Sequence, residues 1–137
     1  MDRSLHEIGR LLLERAAIRP GERVIDVGCG SGATTLAAAP LVGAQGSVLG
    51  VDVSEPMLAV ARRRAAGLGN VRFVAADAQT HAFEPGAQDL VLSRFGVMFF
   101  DDPPRAFASL RRALRPGGRL CFVCWGRSRT IRGSASR

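Results

Sequence analysis

The segment that most constrains the fold is the stretch from Val24 to Gly32, which has the sequence Val-Ile-Asp-Val-Gly-Cys-Gly-Ser-Gly. A short apolar run ends in three glycines at alternate positions, and the alanine-rich segment 33–39 follows directly. This order predicts a buried strand, a tight turn and the start of a helix. Glycine permits the positive φ angles of such a turn, and a helix start presents unpaired N–H groups. The segment therefore predicts a site for a small polar or anionic ligand at the edge of a parallel sheet.

The rest of the chain alternates predicted strands and helices. Apolar periodicity predicts helices over roughly 4–18, from the glycine turn to about 41, from 54 to about 67, and from 102 onward. Strands are predicted at 23–27, 46–53, 71–75, 89–93 and 119–125. Ser54 and Asp102 suit helix N-caps. The alternation predicts a single α/β domain over residues 1–125, with a Rossmann-like, doubly wound parallel sheet of about five strands.

The net charge of +7 raises the question of a nucleic-acid partner. All nineteen basic residues are arginines, and four of them lie in the last eleven residues, where there is no acid. The internal cluster Arg62 to Arg64 lies on a predicted helix, where consecutive side chains fan out around the axis. A nucleic-acid partner is therefore not expected. No apolar run is long enough to cross a membrane and no signal peptide begins the chain, so we expect a cytoplasmic protein without a membrane partner.

The cysteines do not indicate a metal or redox site. Cys121 and Cys124 have CxxC spacing, but they lie within a predicted strand, where an offset of three places two side chains on opposite faces. With Cys29, they are expected to be buried structural thiols. Only His6 and His81 could complete a zinc site, so none is expected.

The glycine turn fits two kinds of cofactor. The pattern Gly28-x-Gly30-x-x-Ala33, followed by Asp52 at the end of the second predicted strand, satisfies a dinucleotide fingerprint and would suit an NAD(P)-binding oxidoreductase. However, Asp26 stands just before the first glycine. An acid aimed into the pocket suits a ligand that carries a cation and would repel a pyrophosphate.

Four ordered elements extend this pattern: the turn 24–32, the segment Gly-Val-Asp-Val-Ser at 50–54, Ala-Asp-Ala at 76–78, and Leu-Arg-Pro-Gly-Gly-Arg-Leu at 114–120. In this order and spacing, the chain resembles a class I S-adenosylmethionine (SAM)-dependent methyltransferase of the broad small-molecule type. The resemblance covers roughly residues 20–125. It implies the strand order 3-2-1-4-5, SAM as the cofactor, and a small-molecule methyl acceptor whose identity stays open.

The resemblance also implies roles for residues of the glycine turn. The backbone of Gly28, Gly30 and Gly32, with Cys29 between them, would lie against the methionyl part of SAM. Asp26 would hold the ammonium group, directly or through water.

Residues after the later strands would hold the rest of the cofactor. Asp52 would accept from both ribose hydroxyls, because one carboxylate can accept two hydrogen bonds. Val53 and Met57 would flank the adenine, whose edge would meet the Asp77 carboxylate and the N–H of Ala78. The cofactor and the acceptor would meet at a wall formed by Ser93, Arg94 and Phe95.

Methyl transfer from a sulfonium is an in-line displacement that positioning alone can accelerate. A general base is needed only if the acceptor must lose a proton. No catalytic residue stands out in the sequence, and His81, which follows Asp77, is the nearest candidate for a base.

The resemblance implies elements that this chain is expected to lack, namely helices ahead of residues 4–18 and a β-hairpin after the fifth strand. Residues 126–137 are polar and basic, which predicts a disordered tail. The fifth strand would then form an exposed apolar edge through which the chain could associate with itself. An inactive, truncated fragment of this fold is therefore an alternative to an active enzyme, beside the NAD(P)-binding oxidoreductase.

Overall fold

The computed structural model describes the backbone of residues 5–94, 100–124 and 127–132, and the side chains of residues 7–94 and 100–123. Helices and strands alternate along most of this range. The elements are, in order, α1 Leu5–Ala16, β1 Arg23–Val27, α2 Ala33–Val42, β2 Ser47–Asp52, α3 Glu55–Arg64, β3 Val71–Ala75, β4 Gln88–Arg94, α4 Pro103–Ala113, β5 Leu114–Cys124 and β6 Arg127–Arg132.

The strands form one sheet in the order β3-β2-β1-β4-β5-β6. The first five are parallel, which confirms the predicted Rossmann-like fold and the strand order 3-2-1-4-5. The chain order reverses between β1 and β4, and ligands bind beyond the carboxyl ends of the strands at such a switch point. The carboxyl ends of β1 to β4 therefore define the edge where a site is expected.

The prediction of a disordered tail is wrong for residues 127–132. They form β6, which pairs antiparallel with β5 from Cys124 opposite Arg127 to Arg119 opposite Arg132. The outer edge of β5 offers a row of N–H and C=O groups, and pairing with them needs no apolar periodicity in the partner strand. The prediction that β5 forms an exposed edge is likewise wrong, because β6 pairs along that edge. Residues 126 and 133–137 lie outside the described residues.

Local sequence chemistry sets the helix boundaries. The Ser54 hydroxyl accepts from the Met57 N–H at 3.4 Å, and the Asp102 carboxylate accepts from the Arg105 N–H at 3.2 Å, so both predicted N-caps are confirmed. Helix α1 ends two residues before the predicted boundary, where Ala17 takes a left-handed φ of 50°. None of the described helices combines the length and the apolar character that a membrane span needs.

The sheet separates two apolar cores. Residues of α1 and α2 cover one face of the sheet, where Leu12, Val42 and Val24 pack together. The opposite face packs against α4 around Ile25 and Leu110. Successive β1 side chains alternate between these cores.

An ion pair closes the amino-terminal edge of the sheet. The Arg119 guanidinium donates to both Glu22 carboxylate oxygens at 2.8 Å. It also donates to the carbonyls of Ala16 and Ala17, at 2.9 and 3.2 Å. These are carbonyls at the carboxyl end of α1, where a helix leaves acceptors without intrahelical partners. One side chain thus ties α1, the turn before β1, and β5 together.

Candidate functional site

A cavity of about 390 Å³ opens at the carboxyl ends of β1 to β4, and we call it the edge cavity. Its volume lies in the range of about 300–1,000 Å³ that is usual for small-molecule sites. Its walls come from the ends of four strands and from the segment before α4. The lining residues are Val27, Gly28, Val51, Asp52, Val53, Ala76, Asp77, Ala78, Gln79, Arg94, Phe100 and Asp101.

The edge cavity brings together half of the site residues predicted from the sequence. The predicted residues that line it are Gly28, Asp52, Val53, Asp77, Ala78 and Arg94. Others stand behind the lining, in the turn or beside it: Asp26, Cys29, Gly30, Gly32, Met57 and Ser93. Phe95 lies outside the described residues.

The glycine turn adopts the backbone that its sequence predicts. Gly28, Gly30 and Gly32 have φ angles of 73°, 55° and 91°, in the left-handed region that favours glycine. The N–H groups of Gly28 and Cys29 both donate to the Val51 carbonyl, at 2.7 and 3.1 Å. These bonds fix the turn after β1 to the end of β2.

Asp52 is the best-positioned acidic group in the edge cavity. Its Oδ2 accepts from the Gly30 N–H at 2.9 Å, and its Oδ1 accepts from the Ser54 N–H at 2.9 Å. Each oxygen of a carboxylate has two acceptor positions, so each keeps one for a ligand. Two backbone donors therefore hold this side chain in place and leave it able to bind two further donors.

Asp26 lies behind the glycine turn. Only 1% of its surface is exposed, and its Oδ2 accepts from the Thr35 hydroxyl of α2 at 2.6 Å. The pKa of Asp26 is raised to about 7, chiefly by burial and also by the Asp52 charge. The Thr35 hydrogen bond and the Arg94 charge act in the opposite direction and lower it. The carboxyl group is thus poised between its two forms near neutral pH.

Cys29 and Ser93 are buried residues in and beside the glycine turn. Burial, together with the Asp26 and Asp52 charges, raises the pKa of the Cys29 thiol far above its usual range, so the thiol is protonated. The Ser93 hydroxyl donates to the Val27 carbonyl at 2.9 Å. Cys29 and Cys121 are buried thiols, as predicted, whereas the side chain of Cys124 lies outside the described residues.

Gly32 of the turn and Met57 of α3 lie where the turn packs against α3. A side chain at Gly32 would place its Cβ 3.1 Å from the Cβ of Ala61, so this glycine serves close packing of the turn on α3. Met57 is 44% exposed beside Gly30. The ring of His81 packs edge-on against Phe83, with centroids 4.6 Å apart, and His81 does not line the edge cavity.

Gln79 is a wall residue that sequence reasoning missed. Its side-chain amide donates to the Asp77 carboxylate and accepts from the Asp102 N–H at 2.9 Å. The contact of its backbone N–H with Asp77 is an ordinary Asx turn. The contact with Asp102, which is 23 residues away in sequence, has no local signature.

Phe100 and Asp101 complete the wall before α4. Phe100 packs edge-on against Phe107, with centroids 5.9 Å apart, and Phe107 in turn contacts Phe122. The cavity wall is thereby continuous with the core on the α4 face of the sheet.

Known proteins match this fold and this site. A family model described as "Methyltransferase domain" matches residues 24–118. The chain is 39% identical to the aklanonic acid methyltransferase DauC of Streptomyces sp. (strain C5), over 85% of this chain and 54% of that protein. It is 36% identical to the ubiquinone/menaquinone biosynthesis C-methyltransferase UbiE of Teredinibacter turnerae, over 90% of this chain and 51% of that protein. The chain thus spans about half the length of these curated relatives.

A solved structure agrees with the sequence relatives. Phosphoethanolamine N-methyltransferase 2 of Haemonchus contortus, in complex with S-adenosyl-L-methionine, has a TM-score of 0.79 and 33% identity, over 85% of this chain and 27% of that one. The parallel sheet, the glycine turn and the matched family model agree, and the chain therefore belongs to the class I SAM-dependent methyltransferases, whose cofactor is S-adenosylmethionine.

Proposed function

We propose that the protein transfers a methyl group from SAM to a small-molecule acceptor, and that the edge cavity holds the cofactor. The observation that carries the proposal is the Asp52 carboxylate, which two backbone N–H groups fix at the end of β2 with acceptor positions left over. A vicinal pair of ribose hydroxyls supplies the two donors that such a carboxylate can bind.

The residues of the edge cavity fit SAM along its length. Asp52 would accept from the ribose hydroxyls, with Val53, which is 72% exposed, beside the adenine. Asp77 and the Ala78 N–H follow β3, the neighbour of β2, and would meet the edge of the adenine ring. Gly28 lines the cavity without a side chain and would let the methionyl part approach the backbone.

Three residues of the turn would act indirectly. The Gly30 N–H is engaged by Asp52, so Gly30 would hold the ribose-binding carboxylate rather than the ligand. Gly32 would keep the turn close to α3, and the buried Cys29 side chain would pack beside Gly50 of β2. Asp26 would attract the ammonium group from behind the turn in its ionised form, which the Thr35 hydrogen bond and the Arg94 charge both favour.

The cofactor supplies an activated methyl group on a sulfonium, with a neutral thioether as the leaving group. The protein's part is to align the acceptor with that group and to exclude water, because positioning supplies most of the acceleration in such a displacement. Arg94 at the end of β4 and Phe100 before α4 also line the cavity and would face the acceptor. Ser93 would support this wall through its hydrogen bond to the Val27 carbonyl. The names of the relatives, an aklanonic acid methyltransferase and a ubiquinone/menaquinone biosynthesis C-methyltransferase, favour a small organic acceptor.

Calorimetric titration with S-adenosylhomocysteine tests the cofactor assignment. We expect the wild type to bind it and Asp52→Asn to bind it roughly 10–100-fold more weakly, because an amide replaces a carboxylate that accepts charge-assisted hydrogen bonds. Glu14→Gln on the exposed side of α1 is the control for a carboxylate-to-amide change and is expected to bind like the wild type. Binding of NADH in place of S-adenosylhomocysteine would contradict the proposal.

Turnover needs a separate measurement. Release of S-adenosylhomocysteine from SAM would be followed with a panel of phenolic, carbon-acid and amine acceptors. Cofactor binding without turnover on any acceptor of the panel would favour the inactive-fragment interpretation over an active enzyme.

A further inference from the structure

The side chain of Gln79 joins two walls of the edge cavity. Its amide nitrogen donates to both carboxylate oxygens of Asp77, at 3.2 and 3.3 Å, and its backbone N–H donates to Oδ1 of the same group at 2.9 Å. Its amide oxygen accepts from the Asp102 N–H at 2.9 Å. The chemistry of the partners fixes the orientation of the amide, because a carboxylate offers only acceptors and a backbone N–H only a donor.

The two partners of Gln79 belong to different parts of the fold. Asp77 follows β3, whereas Asp102 is the N-cap of α4 and comes directly after Phe100 and Asp101, which line the cavity. Gln79 therefore spans from the wall proposed to meet the adenine to the wall formed by the segment before α4. Gln79 is half-buried within the lining, so its hydrogen bonds to Asp77 are partly away from solvent, whereas the bond from the Asp102 N–H is exposed.

The bonds to Gln79 restrict the orientation of the Asp77 carboxylate. The terminal torsion of an aspartate is broad and roughly two-fold when nothing holds it. Donors from one neighbouring residue engage both oxygens, so the acceptor positions that remain point in defined directions. A carboxylate oriented in this way can select a ligand by the position of its N–H donors.

We infer that Gln79 is a positioning residue that orients Asp77 toward the amino group of the adenine and so makes the cavity selective for cofactors that carry this group. The inference rests on the proposed function, in which Asp77 accepts from the adenine amino group. Gln79 itself does not need to touch the cofactor. It acts through Asp77, and its bond to Asp102 fixes its own amide.

Two substitutions separate the parts of this arrangement. Gln79→Met keeps the length of the side chain but removes all of its side-chain hydrogen bonds. Gln79→Glu can still accept from the Asp102 N–H, but it places a second carboxylate against Asp77, where like charges repel. Gln45→Met is the matched control, because Gln45 is exposed on the turn between α2 and β2, away from the cavity.

The experiment compares two ligands by calorimetry: S-adenosylhomocysteine, and its 6-deamino analogue, in which hydrogen replaces the adenine amino group. We expect the wild type and Gln45→Met to prefer S-adenosylhomocysteine by on the order of tenfold, the value of one well-made hydrogen bond to a charged acceptor. Gln79→Met and Gln79→Glu are expected to lose this preference. The loss is expected to come from weaker binding of S-adenosylhomocysteine, with the Kd of the analogue unchanged.

The outcomes separate this inference from the proposed function. Failure of the wild type to bind S-adenosylhomocysteine would overturn both. The inference alone would be overturned if the wild type binds S-adenosylhomocysteine but Gln79→Met leaves the ratio of the two Kd values unchanged. The same holds if Gln79→Met weakens the binding of both ligands equally. Either result would assign Gln79 a purely structural role. Thermal melts check that each variant folds. If Gln79→Met does not fold, the ratio of the two Kd values is measured on Gln79→Glu instead.

Discussion

The Arg119 guanidinium holds the Glu22 carboxylate through two hydrogen bonds of 2.8 Å, although the two residues stand 97 positions apart in the sequence. The side chain of Arg119 is only 8% exposed and that of Glu22 only 10%. The hydrogen bonds from Arg119 outweigh burial and lower the pKa of Glu22, so the pair is ionised at neutral pH. The contact locks the carboxyl end of α1 against β5, at the end of the sheet opposite the edge cavity.

Removing one partner of this pair is expected to be costly. Arg119→Met leaves Glu22 buried without its cation, and such a loss typically costs about 3–5 kcal/mol in the free energy of unfolding. Urea unfolding of the wild type and Arg119→Met at pH 7 measures this loss in the free energy of unfolding. Arg115→Met is the matched control: Arg115 pairs with Asp89 at a position where its side chain is 46% exposed, and exposed pairs contribute about 0–1 kcal/mol.

The same pair gives a pH dependence with a defined sign. The folded-state pKa of Glu22 lies below its ordinary value of 4.5, so its stabilising contribution is present above pH 4.5 and is lost as the pH falls through the folded-state pKa. The difference in stability between the wild type and Arg119→Met is therefore expected to narrow in acid. Equal stabilities of the wild type and Arg119→Met at pH 7 would mean that the Glu22–Arg119 pair does not stabilise the fold.

Asp26 is expected to have the opposite effect on stability. Because its pKa rises from 3.8 to about 7 in the folded state, the folded protein holds a proton that the unfolded chain releases, and stability declines as the pH rises through that window. Ionising Asp26 costs on the order of 4 kcal/mol above pH 7. Asn at this position can still accept from Thr35, so Asp26→Asn is expected to be more stable than the wild type at pH 8.

Urea unfolding of Asp26→Asn at pH 5 and pH 8 measures this effect. The advantage over the wild type is expected to be larger at pH 8 than at pH 5, since less of Asp26 is ionised in the folded state at the lower pH. Asp101→Asn, at an exposed position, is the control. An advantage independent of pH would mean that Asp26 does not titrate in this window.

Gly50 is expected to tolerate no side chain, for a steric reason. A Cβ there would stand 2.6 Å from Cδ1 of Phe73 and 2.9 Å from the Cys29 sulfur. Gly50→Ala would therefore overpack the junction of β2 with the glycine turn, at a cost of about 1–3 kcal/mol. Gly69→Ala is the control, because a Cβ at Gly69 would meet nothing within 4 Å. Thermal melts compare the two, and equal melting temperatures would refute the prediction.

Strand β6 is expected to protect the outer edge of β5. A chain ending at Trp125 would lack the strand that pairs with Arg119 to Cys124, and unpaired edges promote association between chains. Light scattering after size exclusion is expected to show larger species for this chain than for the full chain. A chain ending at Arg132, which retains β6, is expected to match the full chain. Identical profiles for all three would mean that the edge of β5 needs no cover.

Local chemistry made part of this fold predictable. The N-caps at Ser54 and Asp102 and the glycine turn after β1 each follow from the residue that the backbone geometry requires, and each agrees with the structure. Asp52 and Asp77 could be placed in the cavity because parallel strands all end at the same edge.

The features that the sequence did not reveal depend on distant partners. The Glu22–Arg119 pair and the bond from Asp102 to Gln79 join segments that only the finished sheet brings together. Strand β6 lacks apolar alternation because the edge of β5, not a buried face, determines where it pairs. The side chain of Asp26 is next to the glycine turn in sequence, but the alternation of β1 directs it toward Thr35 and away from the cavity lining.

The crossover from β3 to β4 differs from those before it. Residues 76–87, all of which the structure describes, contain no helix, although they must return across the sheet from one strand to a non-adjacent one. Backbone amides in such segments open to solvent at a lower free energy than those in central strands. The same crossover carries Ala76, Asp77 and Gln79 of the cavity wall. Occupation of the cavity should therefore slow hydrogen–deuterium exchange in residues 76–87 far more than in β1. The exchange rate of this crossover would then report directly on ligand binding.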